Sequence, residues 1–331
     1  MKGVAALAFL AFLSTVPASA PSADSKAGHI QLSPHFVEGA TLRYRIEANT
    51  SSDQHTATPI VDSQSGSKFQ QMTIFLVRLD VLGVRPAVAP QDSAREIRFR
   101  ATFEKSRSNS STDASLPPQN SLDEGIDSLE GHSFEFTLGP AAEPSSVTGL
   151  DQLTQNRAAA EAALEWIPVL ANAGNLPTDG VLVGQKWSSE HPVSGLPLAG
   201  VIWRSESTYL RDEPCPGTTV ASNSAPPHTQ ELCAVIITHF DMSRRGSQHA
   251  DATPDDYRRN GLRTSGKWNA IGESLNSVSL SDGFLVASTQ TAAQDMDYEI
   301  LSASSGSRIR QVGHTNTRTE INLVRDATIS P

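Results

Sequence analysis

The chain has 331 residues, of which 38% are hydrophobic, and a formal net charge of −10. This length is sufficient to bury a large core. An acidic chain without a basic cluster argues against nucleic acid and anionic membrane surfaces as main partners. The low aromatic content, 6% of residues, argues against a carbohydrate-binding surface, since such surfaces usually have more aromatic rings.

The N-terminus has the pattern of an export signal. Lys2 precedes an apolar run at 4–16, and small residues near Ala18 and Ala20 offer cleavage sites. We therefore expect a signal peptide at 1–20 and a disordered segment at 21–28. No later segment is long and apolar enough to span a bilayer. The sequence predicts an exported protein, periplasmic or secreted, without a membrane span in its mature chain.

The chain has two cysteines, Cys215 and Cys233. An exported protein favours a disulfide between them. The spacing differs from the Cys-x-x-Cys pattern of redox-active pairs, so we expect a structural bridge at the neck of a long hairpin.

Residues 29–149 are predicted to form a first β-rich half. Apolar and polar residues alternate at 41–49 and 96–105, and further strands are expected at 70–84 and 132–138. The segments 51–67 and 106–121 are rich in Ser, Asn and Asp, which is typical of long loops.

A central helix is predicted at 150–174. Thr148 and Asp151 have capping-box spacing, and an apolar stripe includes Leu164 and Ile167. Pro168 predicts a kink or a stop. The helix either covers the open face of a sheet or forms a lid over an apolar cavity.

Residues 175–331 are predicted to form a second β-rich half. Strands are expected at 201–210, 232–242, 267–275, 277–289, 294–302, 308–314 and 318–324, with a polar loop at 244–263. Asp282-Gly283 indicates a hairpin. The fold class is mainly β, with antiparallel curved sheets and one central helix packed on them. The halves have similar patterns, so either a duplicated β unit or one half-barrel is compatible with the sequence.

Three short motifs give a resemblance to a known family. They are GATLRYRIE at 39–47, VLVGQKW at 181–187 and SVSLSDGFLVAS at 277–288. Together they resemble exported bacterial β-rich proteins of unknown function, in which a Val-x-Val-Gly-x-x-Trp motif begins the second half. The resemblance implies a secreted β scaffold and supplies no catalytic residues.

Candidate sites are few. His249, Asp251 and Asp255 lie in one polar loop and form the best local group for a metal ion, although a solvated loop explains them as well. Apolar side chains that could contact a ligand are at five positions: Leu164, Ile167, Trp187, Trp203 and Trp268. Core packing is the alternative explanation for all five.

The sequence contains neither a Gly-x-Ser-x-Gly nucleophile motif nor His-Glu-x-x-His, and no cofactor is expected. The favoured function is a non-enzymatic envelope scaffold that binds a partner or an apolar ligand in a sheet concavity. One alternative is a hydrolase with a site built by the loops at 51–67, 106–121 and 244–263. Another is an assembly protein that uses an exposed strand edge.

Overall fold

The computed structural model describes residues 30, 32, 35–58, 61–86, 95–113, 120–138, 144–149, 164, 166–172, 176–177, 180–193, 195–217 and 231–324. The predicted signal peptide, the predicted disordered segment and most of the predicted central helix lie outside these residues. None of the described helices is long and apolar enough to cross a bilayer.

The protein is mainly β, as predicted, and its strands form one antiparallel sheet. The strands are β1 (Thr41–Thr58), β2 (Val61–Pro86), β3 (Arg95–Thr112), β4 (Ser133–Leu138), β5 (Pro144–Thr148), β6 (Lys186–Pro192), β7 (Val201–Pro214), β8 (Leu232–Arg244), β9 (Leu262–Ser279), β10 (Leu285–Ser302) and β11 (Arg308–Leu323). The described helices are α1 (Asn120–Asp127), α2 (Ile167–Asn172) and α3 (Asp255–Arg259).

The first and last strands meet in the middle of the sheet. The order of the 11 strands is β5-β4-β3-β2-β1-β11-β10-β9-β8-β7-β6. The first half of the chain therefore runs from the centre to one edge, and the second half runs from the other edge back to the centre. Pairing of β1 with β11 joins the two halves into a single open sheet. The sequence does not show whether the two β-rich halves form one sheet or two domains. In the structure their described strands form one sheet.

The strands are longer than the sequence predicts. Most of the polar sequence expected to form loops at 51–67 and 106–121 continues β1, β2 and β3, whereas residue 113 follows β3 and 120–121 begin α1; 59–60 and 114–119 lie outside the described residues. This part of the prediction is wrong. Ser51 pairs with both Gln70 and Asn316, so its backbone is bonded on both sides by long neighbouring strands. Ser and Thr are compatible with such strands, because the neighbouring strands form the hydrogen bonds that the backbone amide and carbonyl groups would otherwise form in turns.

The helical region begins differently from the prediction. Thr148, the expected N-cap, is the last residue of β5, where the chain pairs with Glu135. The described helix α2 begins at Ile167, so Pro168 lies in its first turn. A proline is tolerated there because the first amides of a helix have no partner within the helix. Pro168 therefore lies at the beginning of α2, and the kink or stop expected there in a helix at 150–174 adjoins residues outside those that the structure describes.

Alternation along each strand divides the sheet into an inner and an outer face. On β1 the inner face carries Tyr44 and Ile46, both 3% exposed, and the outer face carries Arg45, Glu47 and Asn49. The register extends this division to the other strands, because directly paired residues point to the same face.

Two apolar clusters occupy the inner face. The larger contains Tyr44, Phe75, Phe99, Phe103, Phe134, Phe136, Ile236 and Leu285, and it is covered by Ile126 of α1, by Trp166 and Ile167 at α2, and by Leu32. The smaller contains Trp203, Phe240, Met242, Trp268, Met296 and Tyr298, covered by Leu196, Leu198 and Ala252.

A band of buried neutral polar residues crosses the inner face beside these clusters. Its hydroxyls and amides pair across strands: Ser52 with Thr315 at 3.0 Å, Ser207 with Thr238 at 2.8 Å, and Ser288 with Asn276 at 2.7 Å. These bonds offset the cost of burying polar groups.

The segment before β1 connects distant parts of the sheet. Backbone bonds join Ile30 to Val181 at 2.9 Å in both directions, and the amide of His35 donates to Asp282 at 2.8 Å. The Phe36 ring lies 4.9 Å from both Phe99 and Phe284, measured between centroids. This segment therefore packs against both halves of the chain.

Candidate binding trough

A trough crosses the outer face between two rows of side chains. On β1 the rows begin with Asn49 and Ser51, which are two residues apart and share a face. Asn49 pairs with Met72 on one side and with Arg318 on the other. Ser51 pairs with Gln70 and Asn316 in the same way, so each row continues from strand to strand.

Six adjacent strands, from β3 to β9 through β1 and β11, contribute to the trough. The first row contains Asn109, Met72, Asn49, Arg318, Thr291 and Glu273; the second contains Ser111, Gln70, Ser51, Asn316, Ala293 and Ile271. The volume is about 920 Å³. Five strand spacings give a length of about 24 Å.

The floor of the trough is formed by the residues between the two rows. Thr50 and Gln71 belong to the floor, but their side chains point to the inner face and are 6% and 7% exposed. A ligand in the trough would therefore meet the side chains of the rows and the backbone between them. The backbone is already bonded within the sheet, which makes the rows the source of chemical selectivity.

The rows offer unpaired neutral polar groups. Among the residues that the structure describes, the amides of Asn49, Gln70 and Asn109 have no hydrogen-bond partner. Each amide carries both donors and acceptors, so each can bind a neutral group of either kind. Asn316 Nδ2 lies 2.9 Å from His314 Nε2.

The rows contain two charged side chains. Arg318 donates from Nε and Nη2 to Glu320 Oε1 at 2.9 and 2.7 Å. Glu273 Oε2 lies 3.7 Å from His239 Nδ1, an imidazole that carries a charge only when protonated. Both charged side chains belong to β9 and β11, and the described lining on β1, β2 and β3 is uncharged.

Beyond β9, the two rows continue onto β8, β7 and β6 with side chains that form ion pairs. Lys186 Nζ donates to Glu206 at 2.8 Å and lowers the pKa of that carboxyl. Arg204 donates to Asp241 and to Glu190, each at 3.1 Å. The change from neutral to charged side chains coincides with the end of the trough.

The apolar residues nominated from the sequence are divided between the two inner clusters. Ile167 is 1% exposed in the larger cluster, and Leu164 and Trp187 are half-buried against it. Trp203 and Trp268 are buried in the smaller cluster. The structure therefore does not bring the five together, and none of them lines the trough.

The structure does not assemble His249, Asp251 and Asp255 into a metal centre. Asp251 accepts bonds from the backbone and hydroxyl of Thr253, which lower the pKa of its carboxyl, and it pairs with Arg263 at 3.1 Å. Within the described ranges, no group of three or more His, Cys, Asp or Glu side chains is placed to hold a metal ion.

The predicted disulfide between Cys215 and Cys233 is confirmed. Both cysteines are buried and pack with Val286 in a third, small apolar cluster. Of the three loops named for a hydrolase site, the described part of 51–67 and most of that of 106–121 lie in β1, β2 and β3, and 244–263 contains α3.

Groups with clearly shifted pKa values lie outside the trough lining. Burial raises the pKa of Tyr298 to about 12 and raises that of Tyr209 further. Burial lowers the pKa of His191, and hydrogen bonds from Arg310 lower that of Asp297. These shifts follow from core packing and from ion pairs on the sheet.

The sequence prediction missed the trough. Its residues are ordinary Asn, Ser, Gln and Thr side chains, spread over strands that are distant in the chain. Alternation identifies which of them face outward, but the rows exist only once the register of six strands is known. Three of the strands, β1, β2 and β3, pass through segments that the sequence analysis assigned to loops.

No family model and no curated protein matches the sequence. Among solved structures, the chain has a TM-score of 0.43 and 10% identity to one described as lipid–protein interactions in lipovitellin, with 89% of this chain covered. It spans about a quarter of that lipovitellin chain, 26%. A second likeness, to Salmonella typhi OmpF in complex with daunomycin, has a TM-score of 0.16 and 9% identity, and it covers 82% of this chain and 97% of the other. Both TM-scores are too low to indicate a shared fold.

Proposed function

We propose that this protein is an exported binding scaffold that holds an elongated ligand in the trough on its outer face. The observation that carries the proposal is the set of unpaired amides and hydroxyls on β1, β2 and β3, at one end of a trough that crosses six hydrogen-bonded strands. A rigid sheet places these groups before a ligand arrives, which reduces the entropy cost of binding.

Two features support export. The N-terminal sequence has the charge and apolar run of a signal peptide. The disulfide between Cys215 and Cys233 is typical of proteins that fold in an oxidising compartment. Fractionation of cells that express the full chain checks this, because export predicts a shortened, oxidised product outside the cytoplasm.

The trough favours binding over catalysis. Its two charged side chains, Arg318 and Glu273, already face partners, and the groups with shifted pKa values lie elsewhere in the described parts of the chain. Catalytic sites usually concentrate such shifts.

A thermal-shift screen of the mature chain tests the proposal. The screen covers neutral oligosaccharides, short peptides and fatty acids, since a ligand that binds only the folded state raises Tm. Ser51→Trp places a large side chain in the middle of the trough and should remove the shift. Ser188→Trp, an exposed serine on the same face of β6, is the matched control and should retain it. Equal shifts in both variants would exclude the trough as the site.

The apolar-ligand version of the prediction stays a second candidate. Leu164 and Leu170 near α2 are only partly buried against the larger inner cluster, so this region has the apolar contacts that such a ligand needs. Native mass spectrometry of the purified protein checks it. A bound lipid that is lost in Leu170→Asp and retained in Ser51→Trp would favour the inner face over the trough.

A further inference from the structure

We propose that the ligand of the trough is a neutral, unbranched oligosaccharide that lies across the strands with about one sugar ring to each strand. This inference rests on the proposed function and adds the class of ligand.

The repeat of the trough selects among elongated ligands. The two rows occupy equivalent positions from one strand to the next, at a spacing of about 4.8 Å, although the types of side chain differ. A residue of extended peptide advances only about 3.3 Å, so its repeating groups lose register with the rows within two strands. A ring in an extended glycan advances by about one strand spacing, so each ring meets the same pair of rows.

The polar groups of the rows match sugar hydroxyls. A hydroxyl both donates and accepts, and so does the amide of Asn49, Gln70 or Asn109. Ser51 and Ser111 add hydroxyls in the second row. A bound sugar would give all of these groups partners without introducing charge.

Charge also favours a neutral glycan. Arg318 faces the carboxylate of Glu320, and Glu273 lies beside His239 at the β9 end, so the described lining on β1, β2 and β3 carries no charge. Beyond β9, where the trough ends, the side chains are engaged in ion pairs, such as Lys186 with Glu206 and Arg204 with Asp241.

Aliphatic side chains supply the apolar contacts. Met72 on β2 and Ile271 on β9 are 39% and 65% exposed, and none of the described residues that line the trough is aromatic. The C–H faces of sugar rings can pack on these side chains. The low aromatic content therefore excludes a stacking platform but leaves a hydrogen-bonding trough possible.

Isothermal titration with β-1,4-linked glucose and N-acetylglucosamine oligomers, from the disaccharide to the hexasaccharide, tests the inference. We expect affinity to increase with each ring up to about the six strands of the trough, and to change little with salt because no charge is neutralised. The double variant Asn49→Ala/Gln70→Ala removes two unpaired exposed amides and should lower affinity about tenfold.

Asn322→Ala is the matched control, because Asn322 is an exposed amide on the outer face of β11 and lies outside the trough. It should bind as the parent protein does. Absence of binding to every oligomer at millimolar concentration, or equal affinity in the Asn49/Gln70 and Asn322 variants, would overturn the oligosaccharide assignment. If Ser51→Trp then still abolished a thermal shift caused by peptides, the proposed function would stand without the glycan. If it affected no ligand, both proposals would fail.

Discussion

The two faces of the sheet use the same strands for different purposes. On β1, Tyr44 and Ile46 enter the larger apolar cluster, whereas Arg45 and Glu47 form an ion pair at 3.2 Å on the other side. Further along the strand, the inner Thr50 and Ser52 are buried in the polar band. The outer Asn49 and Ser51 line the trough.

The faces therefore differ in whether their polar groups are paired. Inner hydroxyls such as Ser207 and Ser288 have protein partners, since an unpaired buried group would be costly. The outer amides of Asn49, Gln70 and Asn109 have none in the described structure. Stability depends mainly on the inner face, and the proposed binding would depend on the outer one.

The largest expected effect comes from a cavity on the inner face. Phe99 is 1% exposed and its ring lies 4.9 Å from Phe36 and 5.4 Å from Phe136. Phe99→Ala should lower the free energy of unfolding by about 3–5 kcal/mol. Met72→Ala on the outer face should lower it by less than about 1 kcal/mol. Urea denaturation measures both, and equal effects would remove the distinction between the faces.

Most side chains on the outer face are exposed, but the disulfide on this face is buried. Cys233 alternates with the inner Ala234 and Ile236, so it points outward, yet it is fully buried. Cys215→Ser/Cys233→Ser should lower the free energy of unfolding by about 3 kcal/mol, the chain-entropy value for this loop, whose ends are 18 residues apart. Dithiothreitol should reproduce the loss in the parent protein and have no effect on the double variant.

A smaller, pH-dependent effect is expected at His191. This residue is 4% exposed, stacks on Trp203, and has a pKa lowered by burial. The unfolded chain binds a proton near the ordinary value of about 6.5, while the folded chain does so only at lower pH. The contribution to stability is therefore fully present above that pH and is lost as pH falls below it.

His191→Phe keeps an aromatic ring beside Trp203 and removes the titration. The decline in stability below about pH 6.5 should become shallower in this variant. His132→Phe, at an exposed position, is the control. Identical pH profiles for the His191 variant and the parent protein would show that burial of this ring does not affect acid stability.

Local patterns predicted part of the fold correctly. Alternation in 41–49 identified β1, and Asp282-Gly283 located the turn between β9 and β10. The errors occurred where local composition and tertiary pairing disagree. Ser51 and its neighbours have the composition of a loop, but two flanking strands hold them in the sheet. For Trp203 and Trp268 the sequence allowed either ligand contact or core packing, and the structure places both in the core.

By itself, the sequence determined the antiparallel β class, the faces of its most regular strands and the disulfide, because alternation and the pairing of two cysteines are properties of short segments or of composition. Only the tertiary structure decided that β1 pairs with β11, which makes one sheet from two halves of the chain. It also decided the trough, because Asn109 and Ile271 belong to opposite halves of the chain. Register between distant strands depends on which faces are buried together, and no short segment contains that information.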